Sequence, residues 1–144
     1  MTQVVTERLW WVVFTDEPTP SAFNRFLRRG FRHCWCFTQP APLVVLAFNP
    51  CLDHCQIVLQ DAWPYDLVCQ AARSPLARVV AFDQFAVHPP LIGRMTRRGF
   101  PVTCASYIGY TLGLDAAITT PYGLYRRIMG SGGRIVAGEG VTQI

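Results

Sequence analysis

Phe31-Arg-His-Cys-Trp-Cys-Phe-Thr38, Gln39-Pro-Ala-Pro42 and Leu43-Val-Val-Leu-Ala-Phe-Asn49 follow one another in the chain. Two runs rich in aromatic and β-branched residues, separated by a proline-rich break, read as strand, turn and strand. After the Pro50–Asp53 turn, Cys55–Gln60 returns as a third strand. Short turns between consecutive strands make an antiparallel meander the simplest topology. The unbroken apolar character of Leu43–Asn49 predicts a central strand, covered on both faces.

Upstream, Leu9–Phe14 reads as a further strand. Pro20 and Ser21 open a short helix over Ala22–Arg29, and Gly30 ends it. Downstream, Trp63–Arg73 predicts a helix with Pro64 near its start, and Ala77–Val87 another strand. His88–Gly99 is a loop broken by proline and glycine. A helix then opens at Cys104, with Thr103 as its cap and Gly113 placed to end it. The last helix has Thr120 as cap and Pro121 at its first position, and runs to about Met129. The expected fold class is α+β, with an antiparallel sheet of about four or five strands packed against this C-terminal helix pair. Residues 1–129 form a single domain in this reading. The glycine-rich segment 130–144 is a tail, mobile alone or ordered only against a partner.

Composition narrows the function classes. Hydrophobic residues make up 51% of the chain and charged residues 15%, which suits a packed globule and leaves apolar surface for a partner. The net charge of +4 is carried by scattered arginines, with no lysine, and does not predict nucleic-acid binding. No basic-then-apolar leader follows Met1, and the longest apolar run is too short to span a bilayer. Synthesis and residence in a cytosol are expected, where the six cysteines stay reduced rather than forming a disulfide framework.

Cys104 draws the chemistry to one point. A thiol in the first turn of a helix feels the positive end of the dipole, which favours the nucleophilic thiolate. Acyl transfer by cysteine also needs an imidazole and a group that fixes the imidazole tautomer. With the hairpin turn centred near Pro40, Asn49 falls almost opposite His33, and cross-strand partners share a face. A register slip would turn Asn49 away, leaving Asp53 as the alternative orienting group. The Cys104 backbone N–H is the expected oxyanion donor, with Thr103 or Tyr107 as side-chain candidates. The competing bland reading is a Cys104 packed as a small apolar residue and a His33 satisfied on its strand.

A rival constellation is a zinc site from His33, Cys34 and Cys36 with Cys51, His54 and Cys55. Its spacing is poor. Cys34 and Cys36 share one face of a strand while His33 points to the other, and structural zinc sites place their paired ligands in a turn. His88, before two prolines, reads as a solvated loop histidine, with a backup base as the alternative. Arg94, Arg97 and Arg98 form a solvated loop or face an anionic partner. Tyr107, Tyr110, Tyr122 and Tyr125 read as packing, and no phosphate-loop pattern is present.

The segments GFRHCWCF, LAFNPCLDH and PVTCASYIGYTLGL, with the Thr-Pro-Tyr-Gly-Leu-Tyr-Arg helix after them, resemble small uncharacterised proteins of bacteriophages and gene-transfer agents. The order of histidine strand, polar strand end and cysteine helix resembles the circularly permuted branch of papain-like hydrolases. In the usual members, of the NlpC cell-wall peptidase type, the cysteine helix comes first in the chain. Here it comes last, as in the permuted branch that includes lecithin–retinol acyltransferase-like proteins. The resemblance implies Cys104 as nucleophile, His33 as base and Asn49 as third member. It implies a phage-encoded cysteine amidase or endopeptidase acting on peptidoglycan peptides through a thioester, without a cofactor. The alternative is a catalytically silent virion protein of a tail or neck that keeps the fold and binds other virion proteins through its tail. Either would be made in the host bacterial cytoplasm, the latter then residing in the virion.

Overall fold

Alternation along Trp10–Thr15 explains the layering. Trp10, Val12 and Phe14 are buried toward one face of the sheet and Val13 toward the other, so this strand is covered on both sides. In the computed structural model, which describes residues 7–17, 25–51, 54–85, 103–114 and 118–139, it forms β1 (Glu7–Thr15) near the middle of the sheet. The other strands are β2 (His33–Ala41), β3 (Val44–Pro50), β4 (Cys55–Asp61), β5 (Arg78–Phe85) and β6 (Arg134–Gly138). They make one six-stranded sheet in the order β4-β3-β2-β1-β5-β6, with every neighbouring pair antiparallel. Helices α1 (Pro64–Ala72), α2 (Cys104–Thr111) and α3 (Pro121–Gly130) complete the mixed α+β architecture.

The meander β2-β3-β4 is present, with a different turn from the expected one. β2 runs on through Pro40 to Ala41, and Ala41 pairs with Val44 around a tight turn in which Leu43 has φ 61°. A register shift between Thr38 and Ala41 absorbs the extra residue. β3 is not central. It lies between β2 and the edge strand β4, and most of its residues are half-buried. The most deeply buried strands are β2, β1 and β5, with α2 lying over β2 and β3 and α1 over β5 and β6.

The sheet also has one strand more than the upper expectation. Arg134–Gly138, read from its glycines as part of a mobile tail, pairs with β5 as the edge strand β6. Gly138 closes that pairing at φ +86°, where an added Cβ would collide with the Ala77 carbonyl. The Glu139 N–H then donates to that carbonyl at 2.9 Å. Glycine here is the condition for docking the strand, not a sign of disorder. Of the expected helix Ala22–Arg29, residues 22–24 lie outside the described residues, and Arg25 and Phe26 make only a 3₁₀ turn.

Two cores result. On one face, α2 and α3 bring Ala105, Ile108, Leu112, Leu124 and Ile128 onto Trp10, Val12, Phe14, Cys34, Cys36 and Val80. Burying side chains such as Ile108 and Leu124 stabilises the fold by roughly 1.5–3 kcal/mol each. On the other face, α1 sets Val68 and Ala71 against Val13, Phe37, Val45 and Val79. No helix among the described residues is long and apolar enough to cross a membrane.

Candidate active site

The end of β2 is held in place before it reaches the site. Gly30 N–H donates to Asp16 Oδ1 at 2.6 Å, and Arg32 Nε lies 3.5 Å from the same oxygen. Phe31 is buried against Phe14, Tyr122 and Tyr125, with ring centroids 4.9–5.7 Å apart. Arg32 N–H donates to the Thr15 carbonyl at 3.0 Å, so the next residue, His33, begins β2 with a fixed backbone. The expected packing role of Tyr122 and Tyr125 is what the structure has.

Cys104 is fixed from the other side. Thr103 caps α2: its Oγ1 accepts from Ser106 N–H at 3.2 Å, and Ser106 Oγ accepts from Thr103 N–H at 2.6 Å. This reciprocal box satisfies two donors at the helix start and makes Cys104 the first helical residue. Gly113, at φ +74°, follows the end of the helix as its sequence position predicted. α2 packs against β2 and β3, which brings Cys104 over Cys34.

His33 Nε2 and Asn49 Oδ1 are 2.7 Å apart. An amide oxygen only accepts, so Nε2 carries the proton and donates. In the neutral ring the lone pair is then on Nδ1, and Nδ1 is buried without a hydrogen bond of ordinary geometry. The cross-strand register differs from the expected one. Cys36 faces Phe48, so continuing the ladder sets Asn49 beside Trp35, and His33 is its diagonal neighbour on the same face. A diagonal pair is still within reach of an imidazole and an amide.

The electrostatics of the two cysteines diverge. The Cys104 thiol is lowered from 9.0 to about 5, first by hydrogen bonding from the Cys34 side chain and then, against the cost of burial, by His33. His33 is raised above 6.5: burial opposes its charge, but hydrogen bonding and charge from Cys104 outweigh it, helped by Asn49 and by Glu17. Because Nδ1 lacks a well-formed bond while Cys104 is the main group raising the ring, the sulfur and imidazole are in a loose contact. Apo cysteine–histidine pairs are often that loose. Cys34 is pushed well up by burial and then by Cys104, so it stays a thiol and can donate to the thiolate.

Cys104, His33 and Asn49 are thus brought together. Asp53, His88, Arg94, Arg97 and Arg98 lie outside the described residues. Of the oxyanion candidates, Thr103 is occupied: its Oγ1 donates to the Thr119 carbonyl at 2.8 Å while capping α2. The Tyr107 hydroxyl interacts with Cys55 on β4 and is raised to about 12, mainly by burial, so it remains a donor. Ser106 N–H and Tyr107 N–H are taken by Thr103, which leaves the Cys104 N–H as the backbone donor nearest the sulfur. Among the described residues, no three His, Cys, Asp or Glu side chains are grouped to hold a metal ion. From the sequence, Cys34 falls only in the rival zinc set. The signal for its role beside the nucleophile is the alternation Cys34-x-Cys36, which puts both side chains on the face that receives α2.

Comparison with protein-family models, with curated proteins and with solved structures found no match.

Proposed function

We propose that the protein is a cysteine hydrolase of amide bonds in peptides, acting through a thioester on Cys104. The observation that carries this reading is the His33 Nε2–Asn49 Oδ1 bond at 2.7 Å, which leaves Nδ1 unpartnered beside a thiol lowered to about 5. Between about 5 and the raised pKa of His33, the thiolate–imidazolium pair is the resting state.

The steps follow from that pair. Cys104 Sγ attacks the carbonyl carbon, and the oxygen takes the negative charge, facing the Cys104 N–H at the start of α2. His33 Nδ1–H⁺ gives its proton to the leaving nitrogen, the C–N bond breaks, and the acyl group stays on sulfur. Neutral His33 then takes a proton from water, whose oxygen attacks the thioester and releases a carboxylic acid with return of the thiolate. Asn49 acts throughout as a positioning residue: it keeps the Nε2–H tautomer that aims Nδ1 at sulfur.

Peptidoglycan stem peptides are the substrate class the resemblance to NlpC-type hydrolases favours. Incubation of the protein with murein fragments should release new amino or carboxyl ends, and Cys104→Ala should reduce that release to background. Equal release by wild type and Cys104→Ala would sink the proposal. A second reading, a virion assembly protein without catalysis, is favoured by the edge strand β4, where Ile57 and Leu59 are 58% and 67% exposed. In that case all cysteines should react slowly with thiol probes and no murein fragment should be cleaved.

A further inference from the structure

The face of the sheet opposite Cys104 carries a groove of about 380 Å³, between α1 and the strands β1 to β4. That volume falls in the range of small-ligand sites, roughly 300–1,000 Å³. Of its lining, the hydrolase reading uses only Asn49.

Its lining sets polar side chains among aliphatic ones, Val13, Ala47, Val58, Leu67 and Ala71. Four carboxamides face it: Asn49, Gln56, Gln60 and Gln70. Each can donate and accept at once, as a hydroxyl or an acetamido group also does. Trp35 adds indole surface. No arginine lines the groove, and Glu17 stands at it, so carboxylates and phosphates have no counter-charge there. A second, independent feature points inward. Thr15 is only 5% exposed, it lines this groove, and its Oγ1 is buried with no hydrogen-bond partner. An unmade bond at a buried hydroxyl costs about 1–3 kcal/mol, and a χ1 rotation that turns Oγ1 to the groove would let a ligand hydroxyl or amide recover it.

We infer that this groove is a binding site for an uncharged oligosaccharide bearing hydroxyl and acetamido groups, with Thr15, Gln60 and Gln70 as polar contacts and Trp35 beneath the sugar ring. Carboxamides that donate and accept in pairs match adjacent sugar hydroxyls, while the indole matches the C–H face of the ring. The site is separate from the sulfur: Cys104 packs on the other face of the sheet, and only Asn49 belongs to both. It goes beyond the hydrolase reading and stands without it.

The test is a titration of the full chain with chitotriose and, separately, with tetra-alanine, followed by NMR of the side-chain amide and indole N–H signals. Saturable shifts of the Trp35 indole and of glutamine amides with chitotriose, weakened at least tenfold by Gln70→Ala, are expected. Gln70 is exposed on α1, so that variant keeps the fold. Thr15→Val should weaken binding as well. Cys104→Ala should bind as wild type does, which keeps the groove distinct from the thiol chemistry. No saturable shift at about 10 mM sugar, where a dissociation constant near 1 mM would be saturating, overturns the proposal. So does tetra-alanine binding in place of the sugar, or sugar binding that Cys104→Ala abolishes.

Discussion

The two faces of the sheet are built from the same strands but do different work. Under α2 and α3 the packing is continuous, from Trp10 through Phe14, Cys34 and Val80 to Leu124 and Ile128. Under α1 the core is smaller, and toward β3 and β4 it opens into a polar groove. The dense face provides what a reactive thiol needs: a helix start that cannot shift, low dielectric and a fixed donor in Cys34. The open face provides polar surface reachable by solvent. His33 and Asn49 sit where these two environments meet, at the ends of β2 and β3.

Substitutions can break this division. His33→Ala should lower hydrolysis by about 10³-fold, because it removes the proton donor and the counter-ion of the thiolate together. A milder loss would place the base elsewhere. Core substitutions test the density of the two faces. Leu124→Ala, at a fully buried position, should cost about 2–5 kcal/mol of unfolding free energy, read from denaturant midpoints. Val68→Ala on α1, where the core is smaller and 7% of the residue is exposed, should cost less than that. Equal costs would contradict the contrast between the faces. Asn49→Ala should lower hydrolysis by about 10–100-fold, the equivalent of one hydrogen bond to a charged ring. Asn49→Asp, which keeps the acceptor oxygen, should restore most of that activity. A failure to restore it would mean that Asn49 acts through the groove rather than through His33.

Hydrolysis should follow a bell in pH. Below about 5 Cys104 takes up a proton and attack stops. Above the raised pKa of His33, beyond 6.5, the imidazolium loses the proton that the leaving nitrogen needs. A rate that rises monotonically to pH 9 would remove His33 from the acid role.

Much of this was legible in the chain. The meander follows from aromatic and β-branched runs separated by short turns, and the bounds of α2 follow from Thr103 as cap and Gly113 as stop. His33 and Asn49 were legible as a pair because a hairpin turning near Pro40 puts them on facing strands, although they meet diagonally rather than directly opposite. Three things were not. The place of β3 in the sheet was misread because a buried central strand and a half-exposed apolar strand look alike in one dimension. β6 was hidden by its glycines, whose role depends on the Ala77 carbonyl beside Gly138. Cys34 was hidden because a buried cysteine carries no mark of its neighbour. Each is set by long-range pairing, which local composition does not encode.

The most direct test of the Cys104–His33–Asn49 unit is the pH dependence of Cys104 alkylation by iodoacetamide, followed by mass spectrometry in the intact protein. The thiolate account predicts a midpoint near 5, moved upward by Cys34→Ala and by His33→Ala. A midpoint near the ordinary thiol value of 9.0, unchanged by either substitution, would contradict it.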